Sequence, residues 1–259
     1  MKVVILCGGK GERLREETEF KPKPLIEVGG MPILWHIMKI YSSFGHKDFV
    51  LLLGYKGSMI KKFFLDFEYM THDFTLNLRK KEEKIIFHKQ ENLEDWNITF
   101  LDTGLETSTG GRVSRAREFV KDDDFFLTYG DGLADIDIKG LMDYHKKQDR
   151  IFTMTGINPA SPFGIIEVDN GIARSFKEKP KLDGLINGGF FVCRRDVFKY
   201  VTDDVGCVLE EAPMRQLARE EQLAVYSHNK FWAAMDTYKQ AQHLNNLWLS
   251  GKAPWKIWK

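Results

Sequence analysis

The stretch Val3-Val4-Ile5-Leu6-Cys7-Gly8-Gly9-Lys10-Gly11-Glu12-Arg13-Leu14, with Lys21-Pro22-Lys23-Pro24 close behind it, carries the densest information in this chain. The apolar, β-branched run at 3–6 reads as a strand buried on both faces. It ends in three glycines within four positions. Glycines after a strand let backbone N–H groups approach a ligand closely, and nearby cations suit a polyphosphate. A P-loop is excluded, because Gly11 is followed by Glu12 and Arg13 where Lys and Ser or Thr are required. A dinucleotide fingerprint is excluded too, because Leu14 stands where the third glycine belongs. The glycines alone fit an ordinary tight strand-to-helix turn equally well. Arg13 and Lys23 move the reading toward phosphate binding, and the prolines flanking Lys23 stiffen its segment.

Working outward, Pro32 opens a helical pattern with Leu34, Ile37, Met38, Tyr41 and Phe44 on one face. A second buried strand at 48–53 ends at Gly54, and Ile60, Phe63, Phe64 and Phe67 form another helical stripe. This alternation implies a parallel sheet with right-handed crossovers. Short strands are expected at 74–78, 85–89 and 98–101, around a solvated charged turn at 79–84. Residues 107–112, Thr-Ser-Thr-Gly-Gly-Arg, read as a flexible loop rich in donors. A strand at 125–128 feeds Tyr129-Gly130-Asp131-Gly132, and 138–147 reads as a helix. Further strands are expected at 151–155, 165–168, 173–177 and 189–193, with Asn170-Gly171 as a hairpin signal. Helices are expected at 208–219 and 238–249. Without a repeat or a low-complexity linker, the expectation is one α/β domain over residues 1–259.

The chain has 259 residues, 43% of them hydrophobic, which supports a substantial core and excludes global disorder. A net charge of +1 argues against a dedicated nucleic-acid binder. Cys7, Cys193 and Cys207 are too few and too widely spaced for a disulfide framework or a zinc site, and they fit a reducing compartment. No apolar run has the length of a membrane span, and the N-terminal run is too short for a signal peptide. A cytoplasmic protein with no nucleic-acid or membrane partner is expected.

Asp131 lies between two glycines at the end of an expected strand, where ligands bind in open α/β sheets. It reads either as a holder of a hard cation or as a Gly-Asp-Gly turn. Asp236 precedes the helix at 238 and reads as a second cation ligand or as a helix cap. Magnesium is commonly held by one or two carboxylates plus substrate phosphates. Glu178 and Lys179, in Phe176-Lys177-Glu178-Lys179-Pro180, either grip sugar hydroxyls and phosphate or end a solvated edge strand. Asn187-Gly188-Gly189 reads as a turn, or as an amide and bare backbone offered to a sugar. Trp248, Trp255 and Trp258 either pack on the core or form a subunit contact.

These residues carry a resemblance. Gly-Gly-x-Gly-x-Arg-Leu, Lys-Pro-Lys-Pro, Tyr-Gly-Asp-Gly, Glu-Lys-Pro and Asn-Gly-Gly-Phe occur in this order in the nucleotide-sugar pyrophosphorylases. More narrowly, the chain resembles the glucose-1-phosphate cytidylyltransferases over nearly its full length. That match includes Pro-Ile-Leu-Trp-His-Ile-Met-Lys at 32–39, Asp-Thr-Gly at 102–104, Thr-Gly-Gly-Arg at 109–112, Met-Asp-Thr at 235–237 and Gly-Lys-Ala-Pro-Trp-Lys at 251–256. The resemblance implies a Rossmann-like nucleotidyltransferase fold with a mixed, mostly parallel central sheet flanked by helices. It implies the reaction of CTP with α-D-glucose 1-phosphate to give CDP-glucose and pyrophosphate, with Mg²⁺ as cofactor. By position, Leu6, Cys7, Gly8, Gly9, Lys10, Gly11, Glu12, Arg13, Lys23, Thr107, Arg112 and Gly130 match the nucleotide side. Arg13 and Lys23 are the expected catalytic cations, and Asp131 and Asp236 the metal ligands. Glu178, Lys179, Asn187 and Gly188 match the sugar-phosphate side. A homo-oligomer, hexameric in the resembled family, is also implied. A uridylyl- or thymidylyltransferase and a non-catalytic sugar-nucleotide-binding module remain the alternatives. Three positions depart from the family pattern: Glu12 for Thr, Cys7 for Ala and Ala234 for Pro. A carboxylate at 12 must turn from a triphosphate or pair with Arg13 or Arg15.

Overall fold

Seven strands, numbered in chain order, build the main sheet: β1 Lys2–Cys7, β2 Asp48–Leu53, β3 Asn97–Asp102, β4 Asp124–Tyr129, β5 Phe152–Ile157, β6 Ile186–Arg194 and β7 Leu223–His228. The computed structural model describes residues 1–79, 84–88, 94–121, 124–159, 163–178, 180 and 184–258. Across the sheet the order is β7-β5-β6-β4-β1-β2-β3. β1 pairs in parallel with both β2 and β4, β2 with β3 and β5 with β7. Only β6 runs against its two neighbours, β5 and β4, within this sheet. The expected mixed, mostly parallel sheet is therefore present, and both halves of the chain contribute strands to it.

The unbroken apolar runs follow from burial on both faces. On one face Val3, Ile5 and Cys7 join Leu34, Ile37, Met38 and Tyr41 of the helix Ile33–Ser43. On the other, Val4, Val50 and Leu52 pack with Val113, Ala116, Val201 and Leu217. Successive strand side chains point to opposite faces, so one strand supplies both cores. The tail also packs inward: Trp255 is wholly buried and its indole Nε1 donates to His36 Nδ1 at 3.4 Å. Among the described residues no helix is long and apolar enough to cross a membrane.

Several expectations need correction. Residues 107–112 are not a flexible loop, because Thr109–Arg115 is a helix whose Gly110 to Ser114 are buried. Two glycines lower helix propensity, yet here they permit close packing. A Cβ on Gly110 would fall 2.6 Å from Cys207 Sγ, and one on Gly111 2.5 Å from Asp204 O. The helix expected at 208–219 begins only at Ala212. The phenylalanine stripe is split between Gly57–Leu65 and Phe67–Thr71, with Asp66 at the junction. Phe74–Leu76 and Ile85–Phe87 pair with each other, outside the main sheet. Pro32 opens its helix as expected, from the N-cap position just before Ile33. Asn170 (φ 49°) and Gly171 (φ 80°) turn the expected hairpin between Ile165–Asp169 and Ile172–Lys177. Residues 80–83 of the charged turn, Lys89 and Lys179 lie outside the described residues.

Candidate active site

Strand order reverses beside β1. β2 and β3 extend from one side of it, and the chain then returns to place β4 on the other. In open α/β sheets ligands bind in the crevice beyond the strand ends at this switch point. The Gly-rich segment leaves β1 there, and Gly130-Asp131 leaves β4 beside it. Together they line a cavity of about 610 Å³ that includes Leu6 to Arg13, Lys23, Thr107, Arg112 and Gly130. All the residues expected on the nucleotide side thus share one cleft. Gly11 takes φ +66° to turn the chain there, a conformation that disfavours any side chain.

Asp131 and Asp236 are far apart in sequence and meet in space. Lys23 Nζ lies 2.6 Å from Asp131 Oδ2 and 2.7 Å from Asp236 Oδ1. Arg13 Nη2 lies 2.9 Å from the same Asp236 oxygen, with its side chain 75% exposed. Strand pairing explains the convergence: Trp232–Ala234 runs against Gly132–Ala134, and Met235 N donates to Asp131 O at 2.9 Å. Asp236 does not act as the side-chain cap of the following helix. Thr237 and Gln240 form the capping box of Tyr238–Leu249. Arg13 therefore pairs with Asp236 and not with Glu12. Glu12 is exposed at the rim of the cleft, and its charge acts on Lys10. Lys10 donates to Glu106 Oε2 at 2.9 Å across the opening, and this bond chiefly raises the Lys10 pKa.

A second cavity, of about 280 Å³, adjoins the first and is lined by Arg13, Tyr129, Asp131, Asn187, Gly188, Trp232 and Asp236 among others. Trp232 Nε1 donates to Gly188 O at 2.7 Å, which orients that backbone. Asn187 and Gly188 are thus brought to the carboxylate pair. Glu178 is exposed beyond the Ile172–Lys177 strand and lines neither cavity.

The amino-acid sequence model of the family described as nucleotidyl transferase matches residues 2–237. The chain belongs to the nucleotidyl transferase family. It is 47% identical over 258 residues to a probable glucose-1-phosphate cytidylyltransferase of Bacillus subtilis (strain 168), covering 100% of both chains. It is also 47% identical over 261 residues to the glucose-1-phosphate cytidylyltransferase of Salmonella typhi, again covering 100% of both. The solved structure of HddC from Yersinia pseudotuberculosis, complexed with GMP-PN, matches with a TM-score of 0.68 at 17% identity over 95% of this chain and 99% of that one. A putative glucose-1-phosphate thymidylyltransferase from Bacillus anthracis matches with a TM-score of 0.68 at 17% identity over 100% of this chain and 98% of that one. These two likenesses support the Rossmann-like nucleotidyltransferase architecture.

In this nucleotidyl transferase, Arg112 is placed differently from a residue reaching out to a ligand. Its side chain is buried. Nη1 donates to Leu53 O, Thr103 Oγ1 and Gly104 O, and Nη2 to Gly8 O and Leu105 O. It clamps the ends of β1, β2 and β3 together. A Cβ on Gly8 would fall 2.2 Å from the guanidinium, so only glycine fits that approach. Sequence reasoning also missed Tyr129, Glu210 and Thr109, which line the larger cavity and bond to one another. The Tyr-Gly-Asp-Gly motif was a signal for Tyr129, whereas nothing in its local sequence marks Glu210.

Proposed function

We propose that this chain transfers a cytidylyl group from CTP to α-D-glucose 1-phosphate, giving CDP-glucose and pyrophosphate. The observation that carries the reading is end-to-end similarity, at 47% identity, to proteins named as glucose-1-phosphate cytidylyltransferases. Residues 1–259 act as one catalytic unit in this reading. The N-terminal half holds the nucleotide, and the C-terminal half contributes Asn187 and Gly188, which line the second cavity, to the sugar-phosphate side.

Asp131 and Asp236 fit a Mg²⁺ ion, because their oxygens converge on the single point taken by Lys23 Nζ. Two carboxylates plus substrate phosphates form a usual magnesium environment. Bound there, the ion supplies charge neutralisation across the reacting phosphates. The chain's own groups do the rest. The Gly8–Gly11 backbone embraces the triphosphate. Lys23 and Arg13, the latter ion-paired to Asp236 but largely exposed, neutralise charge on the phosphates as pyrophosphate leaves. A phosphate monoester is largely dianionic above its second pKa of about 6, so its oxygen attacks the α-phosphorus in line without a strong base. Catalysis is then orientation plus charge stabilisation.

A cytoplasmic homo-oligomer, hexameric as in the resembled family, completes the reading. The exposed Ile166, Val168, Ile172 and Phe176 support a subunit contact. A monomeric mass at assay concentration would count against it. The main test mixes the protein with Mg²⁺, glucose 1-phosphate and each nucleoside triphosphate in turn. Pyrophosphate release is expected with CTP. Release with UTP or dTTP but not CTP would overturn the CTP assignment, and tight nucleotide binding with no release for any sugar phosphate would overturn the enzyme reading.

A further inference from the structure

Tyr129 stands between the two cavities and lines both. Its ring lies on the Gly189 backbone, where a Cβ would fall 2.6 Å from the ring. It also meets Phe191 edge-on at 5.5 Å between centroids. The Tyr129 hydroxyl donates to Glu210 Oε1 and accepts from Asn187 Nδ2 at 3.0 Å. The other Glu210 oxygen accepts from Thr109 Oγ1 at 2.6 Å. Thr109 Oγ1 in turn accepts from Leu209 N at 2.9 Å. Asn187 Oδ1 accepts from Gly189 N at 2.9 Å. The Asn187 amide is therefore oriented at both ends, and one Nδ2 hydrogen is left for a ligand. Burial, then the Glu210 charge, pushes the Tyr129 phenol well above its ordinary value, so it remains a donor at any working pH.

We propose that Glu210 is a positioning residue: through the Tyr129 hydroxyl it fixes the donor direction of Asn187 toward the sugar phosphate, and through Thr109 it ties that pocket to the nucleotide wall. The proposal rests on the sugar-phosphate reading of the second cavity. The relay has a direction. A carboxylate is an acceptor only, so both hydroxyls must donate to it. The tyrosine oxygen is then left to accept from Asn187, which excludes the flipped amide. Removing the carboxylate releases the hydroxyl to rotate and frees the amide to turn.

The test compares Tyr129→Phe, Glu210→Ala, Glu210→Gln and Asn187→Ala by steady-state kinetics, with thermal unfolding as the folding control. Tyr129→Phe should raise KM for the sugar 1-phosphate about tenfold, the equivalent of one hydrogen bond, while KM for the nucleotide moves less than about twofold. Glu210→Gln, whose amide oxygen still accepts from Tyr129, should retain most of the sugar-phosphate affinity that Glu210→Ala loses. Adding Tyr129→Phe or Glu210→Ala to Asn187→Ala should raise the sugar-phosphate KM no further. Additive effects, or a nucleotide KM that rises as much as the sugar-phosphate KM in Tyr129→Phe, would overturn the relay. If the wild type turns over no sugar phosphate, the activity reading fails while the relay is still tested. The side-chain ¹⁵N amide signals of Asn187 should shift in Glu210→Ala and stay near wild type in Glu210→Gln, and no shift in either variant refutes it.

Discussion

Replacing Arg112 by methionine should loosen the nucleotide cleft and destabilise the fold together. Methionine refills the space of the aliphatic stem but removes every donor. Five oxygens face the guanidinium: those of Leu53, Thr103, Gly104, Gly8 and Leu105. Water can reach Gly104 O and Leu105 O, whose bonds are only partly buried. The bonds to Leu53 O, Thr103 Oγ1 and Gly8 O are buried. Of these, Leu53 O keeps Thr103 N at 2.9 Å and Gly8 O keeps Tyr55 N at 3.1 Å, so neither is orphaned. The loss is then the net worth of three charge-assisted bonds at the low end of their range, about 4.5 kcal/mol in all. For a chain of this size that lowers Tm by roughly 10 °C. Gly8 and Leu105 both line the cleft and both accept from Arg112, so CTP affinity should fall about tenfold or more in the same variant. Arg112→Lys should recover less than half of either loss, since a point ammonium cannot reproduce the guanidinium's forked set of bonds. Calorimetric unfolding and titration with CTP provide the two readouts. A large loss of CTP binding with Tm unchanged would refute the clamp and make Arg112 a direct ligand contact.

The remaining predictions concern the carboxylate pair and the tail. Asp131→Asn should fold normally and lower Mg²⁺-dependent pyrophosphate release by about a hundredfold or more, because it removes charge where the phosphates react; near-normal rates would refute the metal role. Burial holds the His36 imidazole down to about 4 from its ordinary 6.5. The unfolded chain therefore binds the extra proton first, and stability is lost as pH falls from about 6.5 to about 4, by about 3 kcal/mol at most. Tm measured across that window should fall more steeply in the wild type than in His36→Gln, and parallel curves would count against it. Trp255→Ala should cost about 3–5 kcal/mol, read by denaturant unfolding, because a wholly buried indole leaves a cavity between the tail and His36; a cost under about 1 kcal/mol would show that the tail is dispensable.

Much of the sheet was legible in the residues themselves. β1, β2 and β4 are apolar on both faces, a pattern that only a strand between two helical layers sustains, and Asp48–Leu53 and Tyr238–Leu249 fall where their patterns place them. The residues expected on the nucleotide side share one cleft for a reason the sequence also carries. Most of them lie in one continuous segment after β1, and the sheet's own topology puts the end of β4 next to it. The Thr109–Arg115 helix was not legible, because its two glycines look like a loop until Asp204 and Cys207 are seen packed against them. The role of Arg112 is likewise a property of three strand ends converging, and no local pattern encodes it. The opening Gly-rich segment thus declares by itself that backbone N–H groups and cations gather after the first strand. Whether Asp131 and Asp236 meet was decided only by the tertiary structure, in which antiparallel pairing of Trp232–Ala234 with Gly132–Ala134 carries one carboxylate to the other. The same holds for the Glu210–Tyr129–Asn187 chain of bonds. Contacts between residues distant in the chain depend on how whole elements pack, and a short stretch of sequence contains only its own propensities.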